Sequence, residues 1–218
     1  MPEIGLFEAM YTMRAIRRFR PDPVPQELIE KLIEAATRAP SGANRQPWAF
    51  VVVRDPELKR PIAALYLDSW EAVYGNRVRG GARPLDSRVY ASATHLAEHM
   101  AEAPALIFVC LDHQLAGGIL QPGQPPARTG GQPTPAGRYT SILPAVQNLL
   151  LAARGLGLGA VLTTLHKAHE EEIKLLLGIP AHVETVALIP VGYPLDKFGP
   201  VTRRPPSEVT FYERWGST

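Results

Sequence analysis

One cysteine in 218 residues rules out an internal disulfide. Cys110 sits in the apolar run from Ala105 to Leu111, so a buried, inert thiol is expected, and a reducing cytoplasm suits it. No apolar run reaches the roughly 18 residues that a membrane-spanning helix needs. The first twenty residues carry Glu3 and Glu8 and lack the apolar stretch of about 7–15 residues that marks a leader, so none is expected. Charge of one sign is missing too. Lys and Arg number 23 against 21 Asp and Glu, and a formal net charge of +2 gives no reason to expect a nucleic-acid or membrane partner. There is no internal repeat and no compositional break, so residues 1–218 read as one domain. Apolar residues at 45% and charged residues at 20% are what a soluble globular chain carries.

What is present alternates between helical and strand-like patterns. Behind Pro25, the apolar residues Leu28, Ile29, Leu32, Ile33, Ala35 and Ala36 recur at helical spacing, with Glu27 and Glu30 in the first turn. That helix ends before Pro40. Ala49 to Val53 is short, β-branched and apolar on both sides, the pattern of a central strand. Helices are predicted over 57–74, 90–103, 139–154 and 168–177, and further strands over 105–111, 159–164 and 184–191. Residues 117–137 hold five prolines and six glycines, which predicts a long surface loop. The tail, 194–218, is rich in proline and arginine and ends near Phe211, Tyr212 and Trp215, so it must pack on something, such as a partner subunit. From pattern alone this is an α/β layer protein.

Two stretches could carry chemistry. Arg14, Arg17, Arg18 and Arg20 fall within seven residues, and guanidinium forks match phosphate oxygens, although such clusters are also common on solvated surfaces. Pro40-Ser41-Gly42-Ala43-Asn44-Arg45-Gln46-Pro47-Trp48 packs small residues and amides between a helix end and a strand. Small residues let backbone approach a flat ligand, and amides can address a ring edge with alternating donors and acceptors. A proline-rich turn whose amides satisfy its own backbone fits the same residues.

The blocks 13–19, 23–25 and 39–48, followed by 143–152, 155–159, 190–194 and Arg203-Arg204-Pro205, resemble the FMN-dependent nitroreductases in the same order along nearly the whole chain. The resemblance implies an α+β fold, a nitroreductase-like mixed sheet flanked by helices in an intertwined homodimer with an extended C-terminal tail. It implies FMN as cofactor and NAD(P)H as electron donor, with a nitroaromatic, quinone or similar acceptor reduced by ping-pong hydride transfer through flavin N5. Carried over residue by residue, Arg14 and Arg203 would hold the phosphate and Arg17 would lie near the pyrimidine edge. Pro40, Ser41, Gly42 and Asn44 would line the ring and ribityl chain of the neighbouring subunit's flavin. Leu162, Thr163 and Thr164 match the segment that offers N5 a hydrogen bond, and no side chain need act as nucleophile. Many relatives have arginine at Met13 and serine at Ala15, so one phosphate-directed hydroxyl is missing, and Arg18 or water would have to compensate. Trp70, Tyr74, Asn76 and Arg77 to Arg79, with the loop 117–137, are candidates for a substrate lid.

Reductive dehalogenation, ring-fragmenting oxidation and dehydrogenation are alternatives within the family. A flavin-storing or flavin-sensing protein without turnover is another class of reading. His95-Leu96-Ala97-Glu98-His99 matches the pattern of a zinc peptidase, with a third ligand needed from a site such as Glu170 to Glu172, and its histidines would otherwise lie on a solvated face. The Gly155-Leu156-Gly157-Leu158-Gly159 run follows a helix and precedes a strand, the reverse of a dinucleotide-binding turn, so helix termination accounts for it better.

Overall fold

Residues 4–75, 87–116 and 139–217 are described by the structure, a computed structural model. The elements run α1 (Leu6–Thr12), α2 (Gln26–Thr37), β1 (Trp48–Val53), α3 (Pro56–Trp70), α4 (Ser87–His99), β2 (Ala105–Asp112), α5 (Ile142–Gly155), β3 (Gly159–Ala160), α6 (Glu170–Leu177) and β4 (Val183–Gly192). Local chemistry sets several of their ends. Asp55 caps α3 by accepting from the Glu57 N–H at 2.9 Å, with Pro56 in the first turn. Gly178 closes α6 at φ 65°. Behind α5, Gly157 turns at φ 71° and the Leu158 N–H returns to the Ala153 carbonyl at 2.8 Å, so the glycine-rich run does terminate a helix.

The strands form one sheet in the order β1-β2-β4-β3, every neighbouring pair antiparallel. Among the described residues, a parallel pairing enters through the isolated bridge between Ala15 and Ala160, which is what makes the sheet mixed. The α/β reading taken from pattern alone therefore gives way to α+β. Between β1 and β2 the described residues form the helices α3 and α4, and β2 starts at the end of the sheet that β1 left, so the two pair antiparallel. A single crossover helix would have made a parallel unit.

Two boundaries also differ from expectation. The strand beginning at Gly159 lasts two residues, and its continuation is a single bridge from Thr163 to Leu188 before a 3-10 turn at Leu165–His169. β1, expected at the centre, is an edge strand and most of it is only half-buried. Among the described residues its outer edge pairs with no other strand.

Alternate residues of β2 feed two cores. Ile107, Val109 and Leu111 pack with Ile29 and Leu32 of α2 and Leu149 of α5. Leu106, Phe108 and Cys110 face the other way, toward Ile62 and Tyr66 of α3, Leu96 of α4 and Ile173 of α6. Burial pushes the Cys110 thiol up to about 12, so it stays protonated, as its apolar setting led us to expect.

Candidate functional site

The arginine segment runs as an extended strand laid across the far edge of the sheet. The Ile16 N–H donates to the Ala160 carbonyl at 3.1 Å, the Arg20 N–H to Tyr193 at 2.8 Å and the Leu195 N–H to Arg18 at 3.0 Å. Ile16 points inward and is fully buried. Two glycines make this approach possible. A Cβ on Gly159 would stand 2.6 Å from Ile16 Cγ2, and one on Gly192 would stand 2.6 Å from Pro104 Cδ and 3.0 Å from Phe19 Cβ. Neither close approach was legible from spacing, because the runs around these glycines read as a helix stop and a strand end.

The four arginines are then sorted by their partners. Arg18 pairs with Asp196, and Arg20 lies 3.4 Å from Asp22 and over the Tyr193 ring. Arg14 is exposed with no partner among the described residues, and Arg17 reaches only the Ser92 hydroxyl, at 3.4 Å. Burial holds the Arg17 pKa below the usual guanidinium range, and among the described residues no carboxylate pairs with this cation to offset its desolvation. Arg18 is thus already committed, and its compensation for the hydroxyl missing at Ala15 is not what this arrangement offers.

Beside Arg17 stand Tyr66 and Thr163, whose hydroxyls share a hydrogen bond of 2.7 Å. The Thr163 backbone is equally occupied, since its N–H and carbonyl exchange bonds with Leu188 at 3.0 and 2.9 Å. Thr164 differs. It is exposed, its hydroxyl and N–H have no partner among the described residues, and Leu162 beside it is also exposed. Of the two threonines picked out by resemblance, Thr164 is the one with donors to give. Tyr66 was missed because one tyrosine inside a helix predicted over 57–74 carries no sign in the sequence of the threonine it meets 97 residues away.

The second stretch, Pro40 to Trp48, is built otherwise. Ala43, Asn44 and Gln46 take φ of 51°, 52° and 49°, left-handed backbone without glycine. Such strain persists only where surrounding contacts over-determine it. Here the Ser41 hydroxyl accepts from the Gln46 N–H at 3.1 Å, the Ser141 hydroxyl accepts from the Gly42 N–H at 3.2 Å, and Arg45 donates to the Ala116 carbonyl at 2.9 Å. Pro40, Gly42 and Asn44 are left exposed. Arg203 is exposed in the tail, where its guanidinium reaches only the Thr202 carbonyl, at 2.9 Å. Tyr212 and Trp215, farther along, are also exposed.

Other candidates move. Trp70 is buried in the second core and stacks on Tyr74 at 4.5 Å, so it belongs to the core rather than to a surface lid. Its apolar ring gains more from that core than from a solvated rim. Tyr74, at the π-helical turn Glu71–Gly75, is half-buried. Asn76, Arg77 and the loop 117–137 lie outside the described residues. His95 and His99 stack on each other at 4.3 Å, His95 half-buried, and His99 donates to Glu102 at 2.8 Å. Glu170 is held by Thr185 and Lys167, and Glu172 by His169. Among the described residues no group of three His, Cys, Asp or Glu could hold a metal, and Glu170 and Glu172 already have partners.

Comparison with known proteins places this geometry. The model of the nitroreductase family matches residues 12–193. An NADH dehydrogenase of Thermus thermophilus is 30% identical over 232 residues, covering 97% of this chain and 98% of that protein. Rat iodotyrosine deiodinase 1 is 33% identical over 188 residues, 86% of this chain but only 61% of the deiodinase. A crystal structure of oxidized iodotyrosine deiodinase bound to FMN and 3-iodo-L-tyrosine superposes with a TM-score of 0.69 at 26% identity, covering 98% of this chain and 100% of that one.

Proposed function

This chain belongs to the nitroreductase family, and from that premise we propose that it is an FMN-dependent NAD(P)H oxidoreductase acting on nitroaromatics, quinones or similar acceptors. The observation that carries the reading is the donor set. Arg14 and the half-buried Arg17 have no carboxylate partner among the described residues, and the Ala15–Ala160 bridge holds their strand beside the unpartnered donors of Thr164. Cations with no carboxylate partner among the described residues, beside a segment with hydrogen-bond donors to spare, fit a phosphate-bearing, flat, electron-accepting ring.

In this reading Arg14 and Arg203 bind the phosphate, with Ala15 and Arg18 lining the strand between them. Arg17 lies toward the pyrimidine edge, where a cation favours the negative charge that collects on reduction. Thr164 gives a hydrogen bond toward N5, Thr163 holds it in place, and Leu162 covers the ring from the same side. Pro40, Ser41, Gly42 and Asn44 serve the flavin of a second copy of this chain, whose tail closes the open edge of β1. The exposed α1 residues Leu6, Phe7, Met10 and Tyr11 suit burial in such a homodimer. Bound there, FMN would supply the two-electron redox chemistry between NAD(P)H and the acceptor in a ping-pong exchange. The protein binds, orients and excludes water.

The test begins with colour. Purified protein is expected to bind one FMN per protomer and, mixed anaerobically with NADH or NADPH, to bleach within the time of turnover. A chain that takes up no FMN fails the reading, and one that binds FMN without bleaching is a store or sensor instead. The similarity to iodotyrosine deiodinases favours reductive dehalogenation as a second reading. Halotyrosines should therefore be screened as oxidants beside nitroarenes and quinones.

A further inference from the structure

The mechanism above uses the outward side of the segment 162–164 and leaves the inward side unassigned. On that side Tyr66 of α3 is almost wholly buried, yet it carries a hydroxyl into the second core. A buried phenol must find a partner or lose roughly 1–3 kcal/mol. Phenylalanine would fill the same space without that demand. The partner found is the Thr163 hydroxyl at 2.7 Å, across 97 residues of sequence, and the neighbouring charge is that of Arg17.

One hydrogen is shared between the two hydroxyls, and whichever donates it the bond holds the Thr163 side chain against α3. Thr163 is then tied at all three of its polar groups, by Tyr66 through its side chain and by Leu188 through its N–H and carbonyl. A residue fixed at three points sets the ψ that leads into the next one. That next residue is Thr164, the one with unpartnered donors.

From this geometry we infer that Tyr66 is a positioning residue: by fixing Thr163 it aims the Thr164 donors, and so it tunes the redox balance of the flavin that the preceding reading places there. The inference rests on that reading. Oxidised N5 carries a lone pair that accepts a hydrogen bond, whereas reduced N5 carries a hydrogen. The Thr164 N–H can only donate, so a well-aimed Thr164 favours the oxidised form. Loosening it favours the reduced form and raises the midpoint potential.

The experiment compares parent, Tyr66→Phe, Thr163→Val, Thr163→Ser and the Y66F/T163V double variant, each full-length and loaded with FMN. FMN stoichiometry, visible spectrum and midpoint potential are read from each. Tyr66→Phe should keep one FMN per protomer and strengthen binding of reduced over oxidised flavin by up to about tenfold, a rise near 30 mV for a two-electron couple. Thr163→Val should shift the potential in the same direction, Thr163→Ser should keep the parental value, and the double variant should move no further than the larger single shift. A merely structural phenol would lower Tm and leave the potential alone. Parental potential in Tyr66→Phe, or full additivity in the double variant, overturns the inference while leaving the flavin reading intact. If Tyr66→Phe does not fold, a Thr163→Val protein with parental potential overturns it equally. A parent that takes up no FMN overturns both.

Discussion

The two stretches assigned to the flavin are held in place by opposite means. Residues 14–20 are pinned from outside: backbone bonds to residues 160, 193 and 195, a buried Ile16, and two glycines that clear the way. Residues 40–48 are held against their own backbone preference, with three non-glycine residues left-handed and tethers to Ala116 and Ser141. The first finds within one chain the backbone partners that hold it. The second leaves Pro40, Gly42 and Asn44 exposed among the described residues. In the proposed reading a second copy completes that strained, open surface.

The largest effect should come from breaking the pinned half. Gly159→Val places atoms where Ile16 Cγ2 already stands, 2.6 Å from the first added carbon. Strand 14–20 must then lift, at a cost of roughly 1–3 kcal/mol in stability. FMN affinity, followed by quenching of flavin fluorescence, should fall by more than about 100-fold, because both unpaired arginines leave together. Next in size, Arg14→Gln and Arg17→Gln should each weaken FMN by about 10- to 100-fold, the worth of one charged hydrogen bond. Equal affinity in either variant would remove that residue from the site.

The pinned half also carries an acid sensitivity that the strained loop lacks. His166, in the turn behind Thr164, is fully buried, donates from Nε2 to the Thr185 carbonyl at 3.1 Å, and leaves Nδ1 unpartnered among the described residues. Burial lowers its pKa from 6.5 to about 4. The unfolded chain therefore takes up a proton that the folded one refuses, and stability falls as pH drops from about 6.5 to about 4, by up to roughly 3 kcal/mol. Urea midpoints across that range should show the loss, and a His166→Gln variant should flatten it.

The smallest effect sharpens the other side of the comparison. Ala43→Gly removes the steric cost of φ 51° and should stabilise the chain by about 1 kcal/mol, or roughly 2–4 °C in Tm. If FMN binding weakens as Tm rises, the strain serves the ligand.

The same contrast explains what could be read in advance. Helices with apolar faces, the buried β2 and the order of the motif blocks are written locally, so the elements and the family were legible. Partner choice is not. Nothing in four clustered arginines says that Arg18 goes to Asp196 while Arg14 and Arg17 meet no carboxylate among the described residues, because such pairings cross up to 178 residues. Trp70 read as a lid and proved to be core because a large ring on a helix has the same spacing in either role. β1 read as central because a two-sided apolar run does not record whether one strand or two lie beside it.

The Ala15–Ala160 bridge also implies an order of events during folding. It joins residues separated by 145 positions (160 minus 15), so the entropy of closing that loop is lost before the bridge returns anything. Adjacent β1 and β2 bring together residues 48 to 53 and 106 to 111, a much shorter closure. The arginine strand is therefore expected to dock late, onto a sheet already assembled. In pulse-labelling hydrogen exchange the Ile16 amide should gain protection after that of Phe108; simultaneous protection would show that the strand is part of the nucleus instead.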